Sequence, residues 1–261
     1  MTHLYAEIEP LLRHHLEGNV ISRTETVHTR SGNRGGLLRL PLASGGSVIV
    51  KVWRLRNLKE QLKSFTYLSN GHREWRIHRL IHKAGVHVPE PLIYQRLTIP
   101  NFGPCEIMVI EDVGETECGV PHLKRLIATG RDNAITMFEG QMINITAELL
   151  KLKILDVDNQ LNNFLIDSVN CVFRIDFECA HRRFDLSYRQ NEYATMLDRL
   201  LRSHLHATYP ESERTSRFML QVATSLSVPA KIRQMATEIT RNELQKETKK
   251  TGIEYAIALD W

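Results

Sequence analysis

Strand-type patterns are concentrated in the first half of this sequence, and helix-type patterns dominate the second half. Residues 25–53 read as three short β-rich runs, separated by glycine-containing turns at Ser31–Gly36 and Ala43–Gly46. Two further strand-type runs lie near 92–97 and 105–112. Beyond these, apolar residues recur mainly at helical spacing. This order predicts an α+β protein with a β-rich N-terminal part and a mainly helical C-terminal part.

Two helices are predicted within the β-rich part. The N-terminal stretch is amphipathic, and a second helix is expected at about 69–84, before Gly85 and two prolines. In that second helix the apolar residues at helical spacing are Trp75, Leu80, Ile81 and Ala84.

Composition limits the class of protein. The 261 residues, 42% of them hydrophobic, can bury a sizeable core. No apolar run approaches the roughly 20 residues of a membrane span, and acidic residues interrupt the N-terminus, so we expect a cytoplasmic protein. The four cysteines form no CxxC pair, which argues against a structural zinc site. They are Cys105, Cys118, Cys171 and Cys179.

The net charge of +4 is small, but basic residues cluster after the third strand. Two interpretations stay open: a solvated helix face, or contact with an anionic substrate or membrane surface. We expect no nucleic-acid partner. The cluster contains Lys51, Arg54, Arg56, Lys59 and Lys63.

The segment Ile154–Ala180 places carboxylates and carboxamides between short apolar runs. Asp158 precedes Asn163 by five residues, and Asn163 precedes Asp176 by thirteen. These intervals resemble the catalytic loop and metal-binding strand of protein-kinase-like enzymes. Hard oxygen donors of this kind suit Mg²⁺. An Asx-rich hairpin without catalytic function is the alternative.

Lys51 lies inside the apolar run SVIVKVW, where an unpaired ammonium group would be costly. Glu74, on the helix that follows, is a candidate partner. A strand lysine paired with a helix glutamate is the arrangement that binds the α- and β-phosphates of ATP in kinases.

The stretch from Gly45 to Ile93 resembles the N-lobe of the lipopolysaccharide core kinases, which include the Kdo (3-deoxy-D-manno-octulosonic acid) kinase and heptose kinase group. It contains a strand lysine, a basic stretch, an "RE" helix and the run GVHVPEP. The resemblance covers about 27–185. It implies a two-lobed, protein-kinase-like fold, with an N-lobe at 1–113 and a C-lobe at 114–261 that together form one domain.

The resemblance also implies roles for the polar residues. Lys51 would bind ATP phosphates and Glu74 would orient it, Asp158 would be the base, and Asn163 and Asp176 would hold Mg²⁺. A phosphate-covering loop at Ser31–Gly36 and an adenine-contacting hinge would contribute Gly32, Asn33, Gly35, Glu111 and Val113. A plain hairpin turn and an ordinary strand end are the alternatives at those two places.

Two positions depart from the kinase pattern. Asp156 stands where the family has histidine, and Glu178 stands where the glycine of DFG is expected. Asp156 is therefore either the base itself or a like charge beside the base Asp158. A nucleotide-binding pseudokinase or scaffold remains an alternative.

The implied function is ATP-dependent phosphorylation of a sugar hydroxyl in the lipopolysaccharide core. The implied partners are ATP, Mg²⁺ and a sugar or glycolipid acceptor at the inner face of the cytoplasmic membrane. A kinase acting on another small molecule or on a protein is the alternative. No "APE"-like element follows Asp176, which disfavours a protein substrate.

Overall fold

The structure of the protein is a computed structural model that describes residues 2–17, 26–28, 36–43 and 45–255. The chain divides into two compact units, Met1–Gly114 and Glu115–Trp261. The predicted α+β order is confirmed, because the first unit contains an antiparallel sheet and the second is mainly helical. No helix in the described ranges combines the length and the apolarity needed to cross a membrane.

The described part of the first unit consists of a five-stranded sheet and three helices. In chain order they are α1 (Thr2–Glu17), β1 (Thr26–His28), β2 (Leu37–Pro41), β3 (Ser47–Arg54), α2 (Leu58–Phe65), α3 (Asn70–Lys83), β4 (Pro91–Ile99) and β5 (Gly103–Glu111). The strand order is β1-β2-β3-β5-β4, with antiparallel neighbours throughout. Helix α2 lies in the basic stretch, for which a solvated helix face is one of the two interpretations that the sequence leaves open.

The two faces of β3 carry different side chains, because successive residues of a strand point to opposite sides of the sheet. Val48, Val50 and Val52 are buried in an apolar cluster with residues of α1. Lys51 and Trp53 belong to the opposite face, where Trp53 packs in a smaller cluster that includes an α3 side chain. The strand's alternation therefore directs Lys51 toward α3.

The second unit surrounds α6 with helices and carries two small antiparallel strand groups. The elements are β6 (Thr116–Cys118), α4 (Gly119–Ala128), α5 (Asp132–Lys151), β7 (Ile154–Asp156), β8 (Phe164–Asp167), β9 (Val172–Arg174), β10 (Ala180–Arg182), α6 (Gln190–Thr208), α7 (Ser212–Ser225) and α8 (Ala230–Thr251). One strand group has the order β6-β8-β9, and the other pairs β7 with β10. Helix α6 is mostly buried and contacts α4, α7, α8 and β7.

The loop between β7 and β8 is held from two sides. The Leu161 amide donates a hydrogen bond to Ser203 Oγ on α6 at 3.0 Å. Gly119, the first residue of α4, lies against the Leu161 carbonyl so closely that a Cβ there would overlap the carbonyl oxygen. Leu161 begins a short 3₁₀ turn that ends at Asn163. These contacts therefore hold the backbone that leads to Asn163, one of the predicted site residues.

We predict that Gly119→Ala destabilises the protein by about 1–3 kcal/mol, because the methyl group must displace backbone atoms of the loop. Gly140→Ala in α5 is the matched control. A Cβ at Gly140 meets nothing within 4 Å, so the replacement should stabilise the helix by roughly 0.5–1 kcal/mol. Denaturant unfolding of the two variants measures both values. Equal effects of the two substitutions would contradict the close packing at Gly119.

Candidate active site

Lys51 and Glu74 form an ion pair in the first unit. Lys51 Nζ lies 2.9 Å from each carboxylate oxygen of Glu74. The Glu74 side chain is 1% exposed and that of Lys51 is 19% exposed. A carboxylate this well buried needs a partner, and the ammonium group of Lys51 supplies one while keeping some access to solvent.

The position of Glu74 follows from the buried face of α3. Glu74, Ile77, His78 and Ile81 are all buried and recur at the three- and four-residue spacing of one helix face. Burial lowers the pKa of His78 to about 4, so its ring is neutral at neutral pH. Its Nε2 hydrogen-bonds the carbonyl oxygen of Pro89 at 2.7 Å, which anchors α3 to the segment that leads into β4.

Asp158 and Asn163 come together in the second unit. The Nδ2 of Asn163 donates to the backbone carbonyl of Asp158 at 2.8 Å and to its carboxylate at 3.2 Å. The amide nitrogen is thereby directed at Asp158, which leaves the amide oxygen as the atom that can face a metal ion. The five-residue interval seen in the sequence thus corresponds to a direct contact.

Asp156 has a different environment from Asp158. Its side chain is fully buried and forms an ion pair with Arg174, which is also fully buried. Asp156 Oδ1 accepts a hydrogen bond from the Asp158 amide at 3.0 Å. Burial raises the pKa of Asp156, and the Arg174 guanidinium opposes that rise. Asp158 is only partly buried, so its carboxylate is the more accessible of the two.

Arg174 connects several parts of the loop. Its guanidinium donates to the carbonyl of Asn163 at 3.1 Å and to that of Asp158 at 3.4 Å. It also lies 5.3 Å and 5.2 Å from the ring centroids of Phe164 and Phe177. The sequence patterns do not single out Arg174; the available signal is a lone arginine in the apolar run CVFRI.

Asp176 is brought to the same region by the pairing of β8 with β9. Phe164 pairs with Arg174, and the amide of Ile175 donates to the carbonyl of Asn163 at 2.9 Å. Asp176 is the next residue and has φ of 60°. A non-glycine residue in this left-handed conformation is strained, and such residues are enriched at functional sites.

The charges of this region act on one another. The negative charges of Asp158 and Asp176 both contribute to the raised pKa of Asp156, after the larger effect of burial. The pKa of Cys179 is raised mainly by burial and further by the same three carboxylates. Asp156, Asp158 and Asp176 therefore form one acidic group, although no set of three His, Cys, Asp or Glu residues in the described ranges is arranged to hold a metal ion by itself.

The remaining predicted site residues belong to the loop and hinge of the first unit. Gly32, Asn33 and Gly35 lie outside the described residues. Glu111 ends β5, where its carboxylate accepts a hydrogen bond from the Glu90 amide at 3.0 Å. Val113 follows two residues later and is partly buried. Nucleotide contacts at these positions stay predictions.

We predict that Arg174→Met destabilises the protein by about 3–5 kcal/mol, because it leaves Asp156 buried without its cationic partner. Adding Asp156→Asn should recover part of this loss. Arg217→Met, an exposed replacement on α7, is the matched control and should change the free energy of unfolding by less than about 0.5 kcal/mol.

The cost of Arg174→Met should also depend on pH. Without Arg174, the pKa of Asp156 rises further above its ordinary value of 3.8, so the folded state binds a proton that the unfolded chain releases. The stability of the variant then falls as pH rises from the ordinary pKa of Asp156 through its raised pKa in the folded state. The loss of stability caused by Arg174→Met should therefore be larger at about pH 8 than at about pH 5. Urea unfolding at the two pH values measures this difference. A pH-independent cost, with no recovery in the double variant, would contradict the pairing.

Comparison with known proteins supports the fold. The sequence matches no family model, and no curated protein matches it. The structure is similar to that of WaaP, solved in complex with acyl carrier protein, with a TM-score of 0.58 and 17% sequence identity. The match covers 85% of this chain and 87% of the WaaP chain. The chain therefore has the kinase-like fold of WaaP, and the protein-kinase-like fold class predicted from the sequence is confirmed.

Proposed function

We propose that this protein is a kinase that uses ATP and Mg²⁺ to phosphorylate a hydroxyl group of a sugar in the lipopolysaccharide core. The observation that carries the proposal is the Lys51–Glu74 ion pair, formed between a sheet strand and the helix that follows it. In kinases this pair holds the α- and β-phosphates of ATP. Here it occurs in a chain with a kinase-like fold.

Within the first unit, Lys51 would bind the phosphates and Glu74 would hold the ammonium group in position. The geometry suits this division of roles, because Glu74 is almost completely buried whereas Lys51 is partly accessible. Glu74 accepts two hydrogen bonds from the same ammonium nitrogen. That bidentate contact restricts the long lysine side chain before any nucleotide arrives.

Within the second unit, Asp158 would accept the proton of the acceptor hydroxyl. The hydroxyl oxygen then bonds to the γ-phosphorus of ATP as the bond to the β-phosphate oxygen breaks, and ADP leaves. The contact with Asn163 fixes one carboxylate oxygen of Asp158. A base held in one orientation contributes through positioning as well as through basicity.

The residues present fit a magnesium ion. Mg²⁺ takes hard oxygen ligands and is usually bound through one or two protein groups together with phosphate oxygens and waters. The Asn163 amide oxygen and the Asp176 carboxylate would provide such a pair. When bound, the ion would neutralise the negative charge of the phosphates.

The sugar acceptor is inferred from the sequence resemblance, because the stretch from Gly45 to Ile93 resembles lipopolysaccharide core kinases. The similarity of the fold to that of WaaP agrees with this inference. The acceptor would lie at the inner face of the cytoplasmic membrane. Because WaaP was solved in complex with acyl carrier protein, an acyl carrier protein is a partner to test for this chain.

The test is transfer of phosphate from ATP to lipid-linked Kdo or heptose sugars, with an aminoglycoside and a generic protein as competing acceptors. We expect transfer to the lipid-linked sugars. Asp158→Asn should keep ATP binding and lose about 100-fold or more in turnover. Asp176→Ala should abolish magnesium-dependent ATP binding, measured by calorimetry. Glu213→Gln, an exposed replacement on α7, is the control and should behave as the unmodified protein.

Each alternative gives a different outcome. Magnesium-dependent ATP binding without transfer to any acceptor would favour the non-catalytic nucleotide-binding alternative. Transfer to the aminoglycoside or the generic protein alone would support the proposed kinase activity and contradict the proposed sugar acceptor. Full turnover by Asp158→Asn would contradict its assignment as the base.

A further inference from the structure

Helix α2 exposes apolar side chains in an unusually dense patch. Among the described residues twelve large apolar side chains are exposed, and five of them lie within residues 58–68. Leu58, Leu62 and Phe65 are 75%, 58% and 71% exposed and follow the four- and three-residue spacing of one helix face. We call the five residues the α2 apolar stripe: Leu58, Leu62, Phe65, Tyr67 and Leu68.

The stripe belongs to a well-anchored element. The side chain of Asn57 accepts a hydrogen bond from the Glu60 amide at 2.9 Å, and the Glu60 carboxylate accepts one from the Arg56 amide at 2.8 Å. Such reciprocal capping stabilises the start of a short helix. Ser64, on the opposite face, is buried. The exposure of the stripe is therefore a consequence of how α2 is seated.

Arg96 of β4 fixes the end of the stripe. Its guanidinium lies 4.4 Å from the ring centroid of Tyr67 and 5.8 Å from that of Phe65. Cation–π contacts of this kind orient the aromatic rings without covering them, since Tyr67 is still 59% exposed.

Positive charge borders the stripe. Residues 54–68 include four basic side chains and a single acidic one, Glu60, whose carboxylate is occupied by the Arg56 amide. Lys59 and Lys63 lie side by side on the flank of the helix, one turn apart. The four basic residues are all exposed: Arg54, Arg56, Lys59 and Lys63.

A shallow depression adjoins the basic residues. Its volume is about 400 Å³, and Arg54, Arg56, Gln61 and Phe102 contribute to its wall. Arg54 and Arg56 flank Leu55, which is buried. Two guanidinium groups at one opening provide several N–H donors in the planar geometry that suits phosphate oxygens.

We propose that the α2 apolar stripe and its basic border dock the protein on the surface of an anionic phospholipid bilayer. Exposed leucine and aromatic side chains on one helix face, bordered by lysine and arginine, are characteristic of helices that lie in the membrane interface. Anionic headgroups complement the four basic side chains. The inference deepens the proposed function, since it would bring the enzyme to a lipid-linked acceptor.

The experiment is co-sedimentation of the full chain with vesicles of phosphatidylcholine alone or mixed with phosphatidylglycerol. We expect binding only to the mixed vesicles, weakened by salt. Two variants should each lose about tenfold or more in vesicle affinity. In the first, Leu58, Leu62 and Phe65 are changed to Ser; in the second, Arg54, Arg56, Lys59 and Lys63 are changed to Gln.

Matched controls carry the same kinds of change elsewhere, and they should bind the mixed vesicles as the unmodified protein does. Unchanged melting temperatures of all variants establish that they fold. The apolar control changes the exposed residues Met137, Val169 and Leu220 to Ser. The basic control changes the exposed residues Arg217, Lys231, Lys249 and Lys250 to Gln.

The inference would be overturned if the unmodified chain failed to bind mixed vesicles. It would also be overturned if the apolar variant and the basic variant both kept the vesicle affinity of the unmodified chain. A third contrary result would be that the same variants lose affinity for an acidic protein and keep their affinity for vesicles. Phosphate transfer to a soluble sugar fragment separates the two proposals. Normal transfer without vesicle binding overturns only the docking surface, and vesicle binding without transfer to any acceptor overturns only the proposed kinase function.

Discussion

The buried ion pair between Arg174 and Asp156 is the constraint on which the loop of the second unit depends. A guanidinium with no exposure to solvent must satisfy its charge and its N–H groups within the protein. Its two terminal nitrogens donate to the carboxylate at the end of β7 and to two backbone carbonyls of the loop that follows, whereas its Nε has no hydrogen-bond partner among the described residues. One side chain at the end of β9 thereby connects residues 156, 158 and 163.

The same pair accounts for the departure from the kinase pattern at Asp156. A carboxylate two residues before Asp158 would repel it if both were free in solvent. Here the Arg174 guanidinium compensates the charge of Asp156. The other carboxylate oxygen of Asp156 accepts a hydrogen bond from the Asp158 amide. Asp156 thus supports the backbone of the residue beside it, while Asp158 keeps its carboxylate for the contact with Asn163.

Sequence patterns predicted those parts of the fold and site that depend on local periodicity. The contact of Lys51 with Glu74 could be predicted because an unpaired ammonium group inside an apolar strand is costly and Glu74 lies on the next predicted helix. Helix α2 is only one of two interpretations that the sequence leaves open for the basic stretch, because eight residues contain only about two helical turns of pattern. The pair of Arg174 with Asp156 was missed because its partners are eighteen residues apart and lie in different strand groups, so that only the tertiary fold brings them together.

Burial separates the basic residues of the first unit into two groups that the sequence presents as one run. Lys51 faces α3 and is paired with a buried carboxylate. Three residues later the strand ends, and the remaining basic residues of the run, Arg54, Arg56, Lys59 and Lys63, are exposed. The division at the end of β3 explains why a single cluster in the sequence supports two proposals, phosphate binding by one residue and surface contact by the others.

Strand β3 also restricts where residues can be inserted or deleted in the chain. Because its two faces alternate residue by residue, inserting or deleting one residue ahead of Lys51 would turn the lysine into the cluster that holds Val50 and would turn a valine toward Glu74. A change of two residues would preserve the faces. We therefore expect natural insertions and deletions near Ala43–Gly46 to change the conformation of the turn, where Gly45 and Gly46 have positive φ. We do not expect them to shift β3 by a single residue.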